Sequence, residues 1–251
     1  MRSHTFAMLS ASRLHRLIGY LVIVIALFIT TKAPSTQRNN TDTEIVIVKA
    51  QQMTRINPYQ EEYERMLYPT VRITAGYSTG TGVVINHKGT KDTKNIIYIL
   101  TACHVVENEN TVDIELYDSS VITASVVITD TANDLALLCA LSDLCGESIY
   151  SAKLAGKDYQ YFLFTPVYAV GCSLGLSPRP SSGILSALSD SVVEITAPIL
   201  PGNSGGPVYD ARTYEVIGIA VWVKTYQGQL VTTMAGIVPI NQIYEFINHK
   251  E

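Results

Sequence analysis

The sequence lacks the features that would assign it to a nucleic-acid-binding or zinc-binding class. Its 251 residues carry 18 Lys and Arg against 22 Asp and Glu, a net charge of −4, and no basic stripe. A nucleic acid is therefore not an expected partner. The four cysteines form no Cys-x-x-Cys pair, so no metal site and no cofactor is expected. The sequence also contains no repeat of fixed period and no low-complexity block.

The few cysteines allow two interpretations. Cys139 and Cys145 are close enough in the chain to bridge a short loop if the domain is exported. Alternatively, all four are buried free thiols, because cysteine packs well as a small hydrophobic residue. Cys103 lies inside an apolar run and Cys139 follows one, which favours the free thiols.

The residues that are abundant favour strands. Apolar residues make up 47% of the chain, enough for a sizeable core, and Val, Ile, Thr and Tyr are frequent. From residue 68, β-type runs recur about every ten residues between turns, which predicts an antiparallel barrel or sandwich. A second set of runs follows the segment 142–158, the expected seam between two halves. Gly80 and Gly82 lie inside a strand pattern and predict a close backbone approach.

The N-terminal segment predicts export. Residues 1–16 carry three arginines and no acid, and an uncharged apolar run follows at residues 17–31. A positive flank before an apolar run is typical of a signal peptide or a signal anchor, so segment 1–33 is either cleaved or retained as a membrane anchor. A buried core helix is the alternative. In either export case the rest of the chain is periplasmic, extracellular or held at the outer side of the membrane.

Two short helices are predicted outside the β-type runs. Residues 34–67 are interpreted as a linker ending in a short helix, with Asn57 as its N-cap. The last helix is predicted at residues 241–249, with Asn241 as its N-cap and apolar residues at helical spacing.

The stretch 201–207, PGNSGGP, is the first candidate for chemistry. Glycines lie on both sides of Ser204. Glycine allows positive φ and close contact, so such a turn can project a hydroxyl while nearby N–H groups point at a common spot. This geometry suits a nucleophile beside a site for negative charge. An ordinary surface turn is the alternative, unless the chain also supplies a base and a carboxylate.

Two further motifs supply those groups. His104 ends an apolar run in TACHVV, and Asp134 opens another in NDLALL. Taken alone, each has a plainer interpretation, as a core histidine and as a turn-capping acid. Together with Ser204 they form the set that acyl transfer needs: a hydroxyl, an imidazole to take its proton, and a buried carboxylate to hold the imidazole tautomer.

These three motifs, in this order, resemble those of chymotrypsin-fold (trypsin-like) serine proteases, and most of all the protease domain of the HtrA/DegP group. Additional stretches resemble that group: GTGVVIN, AVGCSLGLS, SSGILSAL, EVIGIAVW and GIVPIN. The likeness extends over roughly residues 68–248. It implies an all-β fold of two antiparallel six-stranded β-barrels with a C-terminal helix. The implied ranges are 68–251 for the protease domain, about 68–150 and about 159–240 for the barrels, and 241–249 for the helix.

The resemblance also implies roles for individual residues. Ser204 corresponds to the nucleophile, His104 to the general base and then acid, and Asp134 to the residue that orients the imidazole. The backbone N–H groups of Gly202 and Ser204 correspond to the oxyanion hole. The corresponding substrate pocket consists of residues before the nucleophile and on a later strand: Pro198, Ile199, Leu200, Ile219, Ala220 and Val221. None of them is charged, which predicts cleavage after small or medium aliphatic residues, with plain core packing as the alternative.

The sequence departs from the pattern of this family in two ways. Asn203 stands where secreted digestive proteases carry an acid, which argues against activation by N-terminal cleavage. The PDZ modules of many HtrA proteins are not expected, because the chain stops after the last helix. The expected function is a serine endopeptidase acting on proteins or peptides. A catalytically silent protease-like binding module and a protease restricted to itself or to one precursor protein are the two alternatives.

Overall fold

A computed structural model describes residues 57–85, 96–141, 149–189 and 193–248. The predicted signal or anchor segment 1–33, with its apolar run at 17–31, and most of the linker lie outside the described residues. Across the four described ranges, no helix is both long and apolar enough to cross a membrane. The chain divides into two compact units, 1–60 and 61–251, and every strand described below belongs to the second.

The first half of the larger unit is a closed antiparallel barrel. Its strands are β1 (Thr70–Ala75), β2 (Ser78–Ile85), β3 (Ile96–Thr101), β4 (Thr111–Glu115), β5 (Val121–Asp130) and β6 (Leu135–Leu141). They are hydrogen-bonded in the order β1-β2-β3-β6-β5-β4. Side chains alternate between the two faces of a strand, so every second apolar residue points inward. The interior contains Ile73, Ile99, Ile114 and Leu138, which are fully buried.

The second half is another closed antiparallel barrel. Its strands are β7 (Pro166–Gly171), β8 (Arg179–Leu188), β9 (Val193–Ile195), β10 (Pro207–Asp210), β11 (Val216–Tyr226) and β12 (Gln229–Pro239). Their order is β10-β11-β12-β9-β8-β7. With the C-terminal helix described below, these elements confirm the predicted all-β fold of two antiparallel six-stranded barrels.

The two barrels share a core along their seam. Ile99 of β3 packs inside the first barrel, whereas its neighbour Leu100 points outward and belongs to the cluster that fills the second barrel. Leu135 and Leu137 of β6 join the same cluster. Burying one such side chain stabilises the fold by about 1.5–3 kcal/mol. These apolar contacts therefore fix the position of one barrel against the other.

The connection between the barrels runs along both of them. The N–H of Ala152 donates to the carbonyl of Val84 in β2 at 2.8 Å. The N–H of Val216 at the start of β11 donates to the carbonyl of Lys153, also at 2.8 Å. The boundary between the two halves that was expected at residues 142–158 lies in this connection. Of the connection, residues 149–165 are described.

The N-terminal helix is short. It comprises α1 (Gln60–Glu62) and a π-helical turn over Tyr63–Leu67. Before it, the side-chain oxygen of Asn57 accepts a hydrogen bond from the N–H of Tyr59 at 3.0 Å, the contact expected of a capping residue.

The C-terminal helix, α2 (Ile240–Asn248), begins one residue earlier than predicted. The prediction that Asn241 is its N-cap is wrong, because Asn241 lies inside the helix. The first N–H, that of Ile240, instead donates to the hydroxyl of Tyr161 at 2.7 Å, and this hydroxyl donates to the carbonyl of Ile217. The hydroxyl of a tyrosine 79 residues away in the chain therefore caps the helix, and Ile240 is fully buried in the core.

Candidate active site

His104 lies in a tight turn directly after β3. The turn, Cys103–Val105, places the neighbouring side chains of Cys103 and Val105 in the core and leaves the imidazole 45% exposed. The Val105 side chain lies over Gly80 of β2, where an added Cβ would meet a Val105 methyl group at 2.5 Å. The prediction of a close backbone approach at Gly80 is therefore wrong: a side chain approaches instead, and it packs the histidine turn against the barrel.

Asp134 reaches His104 because β3 and β6 are neighbours in the sheet. It lies one residue before β6, in the left-handed region with φ 53°. One carboxylate oxygen accepts from the backbone N–H of His104 at 2.9 Å, and the other lies 2.7 Å from Nδ1 of the imidazole. A carboxylate accepts only, so Nδ1 carries the hydrogen and the lone pair of Nε2 remains available.

The same contact changes the acidity of the imidazole. The hydrogen bond that Nδ1–H of His104 donates to Asp134 raises the pKa of the imidazole above its ordinary value of 6.5, although partial burial acts in the opposite direction. The Asp134 side chain is 31% exposed, so the carboxylate that sequence analysis expected to be buried is in fact partly open to solvent.

The turn that carries Ser204 depends on its glycines. Gly202 has φ 95° and Gly205 has φ 81°, values that residues with a Cβ rarely adopt. A Cβ on Gly205 would also lie 2.2 Å from the Thr101 hydroxyl and 2.8 Å from the Ala102 nitrogen. This contact brings the residue after Ser204 against the segment that leads into His104.

Thr81 of β2 joins this turn to the first barrel. Its N–H donates to the carbonyl of Ser204 at 2.9 Å, and its hydroxyl donates to the carbonyl of Gly202 at 2.6 Å. The same hydroxyl accepts from the N–H of Cys172 at 2.8 Å. Thr81 is fully buried, and its contact with Cys172 is buried with it, whereas its contact with Gly202 is partly buried. The glycines on either side of Thr81 stand out in the sequence, but the threonine does not, because its partners lie far away in the chain.

The structure brings Ser204 to the edge of the barrel from which His104 projects. Among the described residues, the Ser204 hydroxyl makes no hydrogen bond with the imidazole. Catalytic hydrogen bonds in ligand-free enzymes often form only in the substrate complex, so the lack of this bond is compatible with a nucleophile and its base.

Two backbone donors at the serine turn are unused. Within the described ranges, neither the N–H of Gly202 nor that of Ser204 donates to a protein acceptor. The carbonyl of Pro201, just before Gly202, is occupied by the N–H of Leu174 at 2.7 Å. Two unpaired N–H groups beside a half-buried serine are what an oxyanion hole requires.

The turn is also tied to the loop that follows β7. The side-chain oxygen of Asn203 accepts from the hydroxyl of Ser173 at 2.7 Å, and Asn203 is buried. Gly171 makes room for it, since a Cβ there would lie 2.7 Å from the same oxygen. Asn203 thus pairs with a neutral loop residue.

The six predicted pocket residues fall into two groups. Ile199, Ile219 and Ala220 are buried in the core cluster of the second barrel, which favours the alternative of plain core packing for these three. Ile219 and Ala220 are consecutive in β11 and point to opposite faces of the strand, yet both are covered. The other three residues are partly or largely exposed: Pro198, Leu200 and Val221.

Trp222 follows Val221 in β11 and was not among the predicted pocket residues. Its side chain is 37% exposed, and its ring lies against Gly236 on the paired strand β12. A Cβ on Gly236 would come within 1.9 Å of a ring atom, so the glycine is needed to seat the indole. Trp222 is therefore the largest apolar side chain beside Val221 at this end of β11.

The cysteines are thiols where the structure describes them. Cys103, Cys139 and Cys172 are free, so Cys139 forms no bridge, and Cys145 lies outside the described residues. Burial, followed by the nearby charge of Asp134, raises the pKa of Cys103, and burial raises the pKa of Cys172 to about 11. Both thiols therefore stay protonated at neutral pH, which makes them poor nucleophiles.

This geometry can be compared with known families. The family described as trypsin-like peptidase domain matches residues 80–219, which include His104, Asp134 and Ser204. The chain belongs to the trypsin-like peptidase family. Two relatives of this peptidase are each 31% identical to it: a probable periplasmic serine endoprotease, DegP-like, of Pseudomonas fluorescens and the serine protease Do-like HtrB of Bacillus subtilis. Each match extends over 60% of this chain, and over 30% and 35% of the respective relative. The chain thus spans about a third of the length of the curated relatives it matches.

Solved structures agree on the fold. The serine endoprotease from Yersinia pestis is 20% identical to this peptidase and superposes with a TM-score of 0.63 over 77% of this chain and 66% of that one. The HtrA-type protease AlgW with a tripeptide is 22% identical and has the same TM-score, over 77% of this chain and 64% of that one. At these identities the likeness concerns the two-barrel architecture.

Proposed function

We propose that this trypsin-like peptidase is a serine endopeptidase that cleaves peptide bonds through an acyl-enzyme. The observation that carries the proposal is the pair of contacts from Asp134 to His104, made beside a serine turn with two free N–H donors. His104 is thereby held in one orientation and one tautomer, with Nε2 free to accept a proton.

In the proposed reaction, Ser204 attacks the carbonyl carbon of the substrate while Nε2 of His104 takes the hydroxyl proton. Asp134 stabilises the imidazolium that forms. The tetrahedral intermediate then collapses, and His104 gives its proton to the departing amine. Water, activated by the same imidazole, releases the acyl group in the second half of the reaction.

The proposed oxyanion hole consists of the N–H groups of Gly202 and Ser204. These donors are already oriented before the reaction, so they need no reorganisation as negative charge develops on the carbonyl oxygen. Removing one such donor typically costs about 3–4 kcal/mol of transition-state stabilisation.

For specificity we propose a small or medium aliphatic residue before the scissile bond. Pro198, Leu200 and Val221 are the accessible members of the predicted pocket, and none carries a charge to attract Lys or Arg.

The proposed substrates are proteins or peptides, and the proposed compartment lies outside the cytoplasm. Support comes from the positively flanked apolar run at residues 17–31 and from relatives whose names include periplasmic endoproteases. Membrane anchoring through that run remains part of the proposal.

A fluorophosphonate probe tests the proposal. It reacts with an activated serine, so the full chain should be labelled and the Ser204→Ala variant should not. Asp118→Asn, which alters an exposed carboxylate in the β4–β5 turn, is the matched control and should label like the wild type. If the intact protein is not labelled and cleaves no peptide in a library, a silent binding module is the better interpretation. Cleavage confined to its own N-terminal segment would instead indicate a self-processing protease.

A further inference from the structure

Arg72 links the first barrel to a loop of the second. It lies on β1 opposite Glu115 of β4, and one guanidinium nitrogen is paired with the Glu115 carboxylate. Another guanidinium nitrogen donates to the carbonyl of Gly175 at 2.5 Å. Both charged side chains are largely covered, with 31% and 25% exposure, so the guanidinium is held in place by its fork geometry.

The loop that receives this contact is strained. Leu174 has φ 56° and Gly175 has φ 73°, so two consecutive residues are left-handed. The Leu174 side chain is 69% exposed, so apolar packing does little to hold the turn in this shape. The contact from Arg72 to Gly175 supplies a restraint on the backbone at that point.

The loop in turn sets the direction of an oxyanion donor. The N–H of Leu174 donates to the carbonyl of Pro201 at 2.7 Å. In a planar trans peptide the C=O and N–H point in opposite directions, so holding the Pro201 carbonyl also aims the N–H of Gly202. If that peptide turned over, the carbonyl would replace the donor at the proposed site of negative charge.

We propose that Arg72, oriented by Glu115, is a positioning residue for the oxyanion hole and acts through Gly175, Leu174 and the Pro201–Gly202 peptide. The inference rests on the proposed function of Ser204. The catalytic effect should be smaller than the loss of a donor itself, which costs about 10²–10³-fold, and we expect a fall of about tenfold in kcat with little change in KM.

The first test does not require activity. In the Ser204→Ala background, hydrogen exchange at the Leu174 amide is measured by NMR with and without Arg72→Met. Arg65→Met is the matched control, because Arg65 also joins one carboxylate and one backbone carbonyl, those of Glu61 and Thr213, elsewhere on the surface. Faster exchange at Leu174 only in the Arg72 variant is expected. Unchanged protection would overturn the inference, whether or not the protein is an enzyme.

The second test concerns catalysis and separates positioning from general stability. Arg72→Met should bind a peptide boronate, which mimics the tetrahedral intermediate, about tenfold more weakly, while affinity for a product peptide stays unchanged. Arg72→Lys keeps the charge but lacks the fork, so it should recover only part of the loss, and Glu115→Gln should show a smaller loss. Equal weakening of boronate and product binding, or full recovery by lysine, would refute positioning through Gly175. Absence of Ser204-dependent cleavage in the wild type would instead refute the proposed function.

Discussion

Replacing Thr81 with valine tests how the serine turn is held. Valine has the same shape but no hydroxyl, so the N–H of Cys172 and the carbonyl of Gly202 each lose a partner. The Cys172 N–H is buried where water cannot substitute, whereas the Gly202 carbonyl is partly buried and its loss costs less. Leaving a buried polar group unpaired costs about 1–3 kcal/mol, so the free energy of unfolding should fall by about 2–4 kcal/mol.

The same substitution should reduce activity beyond its effect on stability. Thr81 holds the carbonyls of Gly202 and Ser204, on either side of the peptide that presents the Ser204 N–H. Without the hydroxyl contact, that donor is less well aimed, and we expect kcat/KM to fall by about tenfold or more.

The assay is urea unfolding in the Ser204→Ala background together with peptide hydrolysis in the active protein. Thr81→Ser retains the hydroxyl and should keep most of the activity. Thr101→Val is the matched control, because it removes a single hydrogen bond in the same seam, from the Thr101 hydroxyl to the Thr81 carbonyl at 2.6 Å. The reasoning is refuted if Thr81→Val and Thr81→Ser behave alike, or if Thr101→Val loses as much activity as Thr81→Val.

Three further predictions concern the other contacts of the site. Neutral imidazole is the base, and the pKa of His104 is raised above 6.5. Because protonation removes the base, kcat/KM should fall as the pH drops through that raised value. A pH–rate profile with its half-maximal kcat/KM at or below pH 6.5 would contradict this. Asp134→Asn removes the cause of the raised pKa and the anion that stabilises imidazolium, so kcat should fall by about 10³–10⁴-fold, with fluorophosphonate labelling slowed in parallel. Alanine at Gly205 would need a positive φ and would place its Cβ 2.2 Å from the Thr101 hydroxyl, whereas alanine at Gly228 would need only the positive φ, with no atom within 4 Å. The melting temperature should therefore fall much more for Gly205→Ala than for Gly228→Ala. Equal falls would show that the steric contact contributes nothing.

The strands and the three motifs were predictable because their signals are local. Alternating apolar residues and turn residues determine where a strand begins and ends, and TACHVV, NDLALL and PGNSGGP each lie within one short segment. The positive φ of the glycines around Ser204 could also be predicted, because glycine adopts positive φ far more readily than other residues.

Predictions failed where a distant residue replaced a local one. Asn241 is a good N-cap by sequence, yet Tyr161 caps the helix, because barrel closure brings its hydroxyl to the Ile240 N–H. The uncharged pocket residues could be assigned to core or surface only after the register of β11 against β12 was known. Ile219 then proved to face the interior.

By itself, the amino-acid sequence determined the β-rich character of this protein, its family and the residues that are candidates for catalysis. Only the tertiary structure decided which groups hold them: Thr81 contacts Gly202 across 121 positions, and Arg72 contacts Gly175 across 103. Neither threonine nor arginine has an unusual local pattern, because a side chain acquires such a role from the partner that folding brings to it. The packing of one barrel against the other selects those partners.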